Sequence, residues 1–245
     1  IDLRRPKMQK ILSLRHRLTQ CTRNFFADKG FIEVETPLLI SPTPEGARDF
    51  IVPSRHQTGR WYALPQSPQI FKQILMIAGC DKYMQICKCL RDEDPRADRQ
   101  AEFTQIDLEM SFVDRDDVLE IMSEFTRTVF KDVKGIDLGE LQHMSWRDAM
   151  DNYGSDRPDI RFELQLCEVS ELASKTDFKV FTTALESGGV VKAMRVPNGA
   201  EQLTRKITDG YAEIAKTYGA GGLPVTKFQG GEFVTGVAKF VEPIK

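Results

Sequence analysis

The segment LRDEDPRADRQAEFTQ, residues 90–105, concentrates groups that could do chemistry. Eight of the twelve residues from Arg91 to Glu102 are charged, three arginines and five acids, which is more than a turn needs for solubility. Guanidinium forks bind phosphate oxygens in pairs, so these arginines are candidate receptors for a polyphosphate. Residues two apart share one face of a strand. In the stretch after the charged tip, Gln105, Asp107 and Glu109 therefore form a row of acceptors suited to an ammonium group, while Ile106, Leu108 and Met110 face the other way. In the stretch before it, Tyr83, Gln85, Cys87, Cys89 and Arg91 share a face. Periodicity alone leaves two readings open, a solvated sheet face or the floor of a pocket. Three further stretches carry the same ambiguity. QSPQIFKQ places Gln69 and Lys72 on one side of a helix start, as an anion receptor or as a surface lysine. TPEGARD carries Glu45, Arg48 and Asp49 in a loop hinged by proline and glycine, as a lid or as an ordinary connection. Phe103 stands just after the charged tip, able to stack on a purine or to fill a core.

These residues need a scaffold, and the flanking patterns supply one. Met8, Ile11, Leu12, Leu14, Leu18, Cys21, Phe25 and Phe26 predict a long amphipathic helix over 6–29, ended by Gly30. FIEVETPLL reads as a strand stopped by Pro37. FIVPS and RWYALP read as a strand pair turning near Thr58-Gly59. Pro68 opens a helix that Gly79 ends. KYMQICKCL and FTQIDLEMSFV are the arms of a hairpin whose tip is the charged segment, and RDDVLEIMSEFTRTVFKDV is a second amphipathic helix. From about residue 162 glycines and small residues become frequent, with helix over 201–217 and short strands at VVKAMRV and PVTKF. This predicts a second domain and an α+β fold overall.

Composition narrows the class. With 41% hydrophobic and 29% charged residues in 245, the chain reads as globular and large enough for one or two cores. A net charge of −2 gives no global basic field for nucleic acid, so any such partner must meet local surface. No apolar run approaches the roughly 18 residues of a membrane span. Five cysteines without clustered spacing argue against a disulfide framework and for a reducing compartment. Cys87-x-Cys89 lacks the second pair a zinc site needs and reads as packed thiols. The first residues, IDLRRPKMQK, contain no signal-peptide apolar region, and the chain is expected to be a fragment of a longer protein.

LRDEDPRADRQAEFTQIDLE resembles motif 2 of class II aminoacyl-tRNA synthetases of the bacterial aspartyl type. GFIEVETPLL resembles motif 1 of that class, TPEGARDFIVPSR its flipping loop, and ALPQSPQIFKQ its aspartate-binding segment. The likeness runs over residues 1–161. From about 162, VKAMRVPNGA, LTRKITDGYAEIAKTYGAGGL and VAKF resemble the inserted GAD domain of these enzymes.

The resemblance implies a mainly antiparallel sheet flanked by helices, with 1–161 the front half of a catalytic domain and 162–245 a partial GAD insertion. It implies ATP-dependent activation of L-aspartate and transfer to tRNA(Asp), with tRNA(Asn) left open, by a cytoplasmic homodimer. Arg91 would bridge the ATP α-phosphate and the amino-acid carboxylate. Asp92 would belong to the ATP site, with Glu93 and Phe103 on its adenine side and Arg99 and Gln100 on its triphosphate and ribose side. Lys72 would read the aspartate side chain, and Glu45, Ser67, Gln69 and Asp107 would surround its α-amino end. No metal ligand falls within this chain, so Mg2+ accompanying ATP would be held elsewhere. Motif 3 and the anticodon-binding domain are not in this sequence, and the segment is expected to be inactive alone. Ala101 replaces a usual proline, and Ser41-Pro42 precedes the flipping loop. The rival readings are an asparagine or lysine enzyme, which Lys72 disfavours, and a non-catalytic paralogue that keeps the fold as a binding or regulatory module.

Overall fold

A computed structural model describes residues 1–162 and 164–241. The chain divides into two compact units, Ile1–Leu141 and Gln142–Lys245. The shift in composition near residue 162 thus falls inside the second unit.

In the first unit, α1 spans Pro6–Asp28, with proline in its first turn, where the missing N–H costs no hydrogen bond. Gly30, at φ +81°, lets the chain reverse so that Phe31 N donates to Phe26 O at 2.9 Å. β1 (Ile32–Glu33) then pairs in parallel with β4. β2 (Ile51–Pro53) and β3 (Trp61–Ala63) form an antiparallel pair, and α2 follows at Gln69–Ile77. β4 (Lys82–Leu90) and β5 (Glu102–Met110) pair residue for residue along nine positions, from Lys82 opposite Met110 to Leu90 opposite Glu102. α3 (Arg115–Val129) continues into one wider turn at Phe130–Lys134.

One face of the hairpin packs on aromatic rings. Phe25 and Phe26 from α1, Phe31, Phe125 from α3 and Met84 form a buried cluster against which Ile86, Ile106, Leu108 and Met110 pack. Phe26 lies 4.9 Å from Phe125 and 5.0 Å from Phe31 between ring centres. These are the offset and edge-on distances that aromatic pairs prefer. The other face is polar, yet it is buried too: Tyr83, Gln85, Cys87, Cys89 and Asp107 are all covered, and α2 runs along that side. The hairpin is therefore a middle layer, and the solvated-face reading falls. The first half of α1 differs, because Ile11 and Leu12 stand exposed.

In the second unit, α4 (Trp146–Tyr153) starts at Ser145, whose hydroxyl accepts from Asp148 N at 3.0 Å. β6 (Leu166–Glu168) and β7 (Lys192–Met194) form one antiparallel pair. Between these strands in the chain come α5 (Ser170–Ala173) and α6 (Lys179–Glu186), and α7 (Gly199–Gln202) follows β7. Leu203 is extended, so the helix predicted over 201–217 divides, and α8 begins after Thr204, at Arg205–Thr217. β8 (Lys227–Gln229) and β9 (Glu232–Val234) pair across Gly230-Gly231, both at positive φ. Phe178 stacks on Phe240 of the short α9 (Ala238–Val241) at 4.5 Å.

Candidate active site

The buried polar face is organised around one cation. Lys72 enters from α2, and its Nζ lies 2.9 Å from Asp107 Oδ1 and 3.2 Å from Glu109 Oε2. Burial works to lower its pKa, but hydrogen bonds and charge from Asp107 and Glu109 outweigh this and hold it above the ordinary lysine value. The surface-lysine reading fails: this ammonium is buried because two carboxylates from one strand face meet it. The second oxygen, Asp107 Oδ2, is buried without a hydrogen-bond partner among the described residues. A buried carboxylate oxygen left unpaired is costly and marks a place for a donor. Close by, Tyr83 Oη donates to Gln85 Oε1 at 2.8 Å, and Thr36 Oγ1 donates to the same atom at 3.0 Å. Burial, with the nearby Asp107 charge second, pushes the Tyr83 phenol far up, so it stays a neutral donor.

Further along the same face, Cys87 and Cys89 bring their sulfurs within 3.7 Å, and Cys89 Sγ also reaches Gln105 Oε1 at 3.2 Å. They are packed thiols lining the wall. Beyond them Arg91 closes the hairpin, its N–H donating to Ala101 O at 2.8 Å. Its guanidinium lies over the Phe103 ring, 5.2 Å from the centre, and Nε points to Gln66 O at 3.4 Å. Among the described residues Arg91 forms no ion pair, so the fork keeps donors for an anion. Glu93 and Arg99 pair at 3.4 Å on the exposed tip, a contact that solvent screens to little net energy.

The loop 43–49 lies against this end. Ser67 Oγ donates to Glu45 Oε2 at 3.0 Å and Thr43 Oγ1 donates to Glu45 Oε1 at 3.1 Å. Asp92 N donates to Arg48 O at 3.0 Å, and Arg48 Nε to Asp92 O at 3.1 Å. The fold thus joins Lys72 to Asp107, Glu45 to Ser67, and Arg91 to Phe103. Gln69 is half-buried at the first position of α2, while Gln100 is exposed at the hairpin tip. Two participants stand outside the predicted site set. Glu109 completes the Lys72 cluster and was readable as the third member of the period-two row. Gln66, whose side chain is fully buried, gave no signal beyond its place between two prolines. Clefts of about 390 Å³, lined by His16, Cys21 and Asp132 among others, and about 430 Å³, around Trp146 and Arg157, lie elsewhere. Among the described residues no group of three or more His, Cys, Asp or Glu side chains could hold a metal ion.

Comparison with known proteins decides the family. The model of tRNA synthetases class II (D, K and N) matches residues 1–220. The chain belongs to this family. An aspartate–tRNA ligase of Halalkalibacterium halodurans is 52% identical over 241 residues, 98% of this chain and 40% of that protein. One of Clostridium acetobutylicum is 50% identical over 243 residues, 99% of this chain and 41% of that protein. A protein of Lachnoclostridium phytofermentans named aspartate–tRNA(Asp/Asn) ligase is 52% identical over 243 residues, covering 98% and 40%. This class II chain therefore spans about 40% of the length of the curated relatives it matches. Its hairpin, α2 and the 43–49 loop all lie within the matched residues.

Proposed function

We propose that this chain is part of an aspartate–tRNA ligase, carrying the floor of the site where aspartate is activated by ATP. The observation that carries the reading is the buried pair of Lys72 with an Asp107 carboxylate, one oxygen of which has no hydrogen-bond partner among the described residues. An amino acid with an acidic side chain presents an ammonium and a carboxylate, and this wall offers an acceptor for the first and a cation for the second. Neutral asparagine would leave the buried Lys72 charge without an anionic ligand group. Lysine would bring a second cation against it.

At the other end, the Arg91 fork and the Phe103 face suit a nucleotide, the ring stacking on adenine and the guanidinium meeting the α-phosphate. Asp92, Glu93, Arg99 and Gln100 complete this side in the proposal. In the reaction the aspartate α-carboxylate attacks the α-phosphorus, pyrophosphate leaves, and the acyl group then passes to the terminal ribose of tRNA(Asp). The chain's own contribution is to hold the two reactants in line and to place the Arg91 charge where negative charge builds on phosphorus. Mg2+ accompanying ATP would neutralise phosphate charge, held by ligands outside this chain. Residues from about 162 onward are assigned to a partial GAD insertion, and the enzyme is read as a cytoplasmic homodimer joined through α1 and β1.

The test is amino-acid-dependent pyrophosphate exchange by the full-length protein with aspartate, asparagine and lysine in turn. Exchange with aspartate alone supports the reading, and exchange with either of the others in its place sinks it. Charging of tRNA(Asn) as well as tRNA(Asp) is read in the same preparation.

A further inference from the structure

Gln66 is fully buried and uses every polar atom of its amide on one loop. Ala47 N donates to Gln66 Oε1 at 2.9 Å, and Gln66 Nε2 donates to Ala47 O at 2.8 Å. The side-chain amide thus pairs with the Ala47 backbone as a neighbouring strand would. The second Nε2 hydrogen goes to Asp49 Oδ1 at 2.6 Å. The donor from Ala47 fixes the amide orientation, since only the oxygen can accept it. Through its backbone the same residue touches the candidate site, its carbonyl facing Arg91 Nε. The next residue, Ser67, holds Glu45. A buried amide with all three partners on a loop of glycine, alanine and charged residues has no packing role that a methionine of similar length would not fill.

We propose that Gln66 is a positioning residue. Its amide clamps Ala47 and Asp49 so that the 43–49 loop presents Glu45 to the substrate's α-amino end. This rests on the reading of the site as the aspartate site. The clamp acts before substrate arrives, so its loss costs ordering of the loop at each binding event. The effect falls chiefly on aspartate, because the Gln66 carbonyl that faces Arg91 is retained in any side-chain variant and Arg48 keeps its own pair of bonds to the Asp92 backbone.

The experiment uses the full-length protein with Gln66→Met and Gln66→Glu. Hydrogen exchange over 43–49 reads the clamp directly, because the Ala47 amide is one of its bonds. In Gln66→Met, exchange there should quicken and the aspartate KM rise about tenfold, the worth of one or two net hydrogen bonds. The kcat of pyrophosphate exchange and the ATP KM should stay within about twofold. In Gln66→Glu a second carboxylate faces Asp49, and burial beside a like charge disfavours ionisation of the introduced group. That variant should match Gln66→Met at about pH 8 and recover toward wild type near pH 6, as a shared proton restores a donor. A merely structural defect would lower the melting temperature of Gln66→Met and reduce the active fraction, and so kcat, instead of raising the aspartate KM alone. Unchanged exchange over 43–49 in Gln66→Met overturns the clamp. Faster exchange with an unchanged aspartate KM overturns the positioning role. A wild-type protein that shows no aspartate-dependent activity while the loop responds as described overturns the functional reading beneath it, and is thereby told apart from a failed clamp.

Discussion

Replacing Lys72 by methionine removes the cation that Asp107 and Glu109 surround while keeping most of its apolar stem. Two carboxylates remain, Asp107 fully covered and Glu109 partly exposed, formerly 2.9 and 3.2 Å from the lost charge. Breaking one partner out of a buried ion pair costs about 3–5 kcal/mol; Glu109 reaches solvent, so about 3 kcal/mol off folding stability is the expectation. In the wild type the titrating group is Lys72. The folded-state pKa of Lys72 is raised, so its contribution is fully present below the unfolded value of about 10.4 and is lost only as pH rises through the higher folded value. Wild-type stability from this pair is therefore flat across neutral pH. On function, a substrate carboxylate without its cation loses about 2–5 kcal/mol, so kcat/KM for aspartate should fall by roughly 30-fold to several thousand-fold, with ATP binding little changed. Denaturant unfolding of the full-length protein at several pH values, with steady-state pyrophosphate exchange, measures both halves. An aspartate kcat/KM within threefold of wild type refutes the assignment of Lys72 to the substrate side chain.

Arg91→Ala should slow adenylate formation by roughly 10²–10³-fold, read by pyrophosphate exchange; a rate within threefold of wild type removes Arg91 from the chemistry. Phe103→Ala should raise the ATP KM about tenfold, since stacking of a base on a ring is worth about 1–3 kcal/mol; an unchanged KM means the ring serves only to pack Arg91. Phe26→Ala empties the centre of the aromatic cluster, where Phe26 is fully buried, and should cost about 3–5 kcal/mol in chemical denaturation; a loss under about 1 kcal/mol would show that the cluster collapses onto the gap. Leu12→Asp places a charge on the exposed apolar stripe of α1 and should turn a two-fold dimer of the full-length protein into monomer by light scattering. A wild-type protein already monomeric at micromolar concentration contradicts that surface assignment.

Much of the scaffold around the hairpin is readable from local rules. Proline and glycine mark both ends of α1 and the turn after α2, and period two in KYMQICKCL and FTQIDLEM gives the two faces and, once the arms pair, the register of Gln85 with Asp107. What period two cannot give is which face is covered. A row of glutamine, cysteine and aspartate looks solvated until α2 is laid on it with Lys72 pointing inward, and that packing is a tertiary event. The same limit hides Gln66, whose partners lie 17 and 19 residues earlier in a loop. Residue type without partners cannot separate a clamp from a surface amide. The apolar stripe of α1 predicts an amphipathic helix, and which part of it meets the core is again tertiary: only the half carrying Phe25 and Phe26 does. In the second unit, helix propensity runs through 201–217 while Leu203 breaks it, a backbone choice that no pattern of apolar residues records.

The position of an aspartyl-adenylate decides whether the Lys72 wall is the substrate site. A crystal structure of the full-length protein with a non-hydrolysable aspartyl-adenylate analogue would place it. The prediction is that Lys72 Nζ contacts the side-chain carboxylate, that the ammonium fills the free side of Asp107 at Oδ2, and that Arg91 and Phe103 hold the phosphate mimic and the adenine. An analogue bound elsewhere, with the Lys72–Asp107 pair intact and Oδ2 still unpartnered, would contradict it.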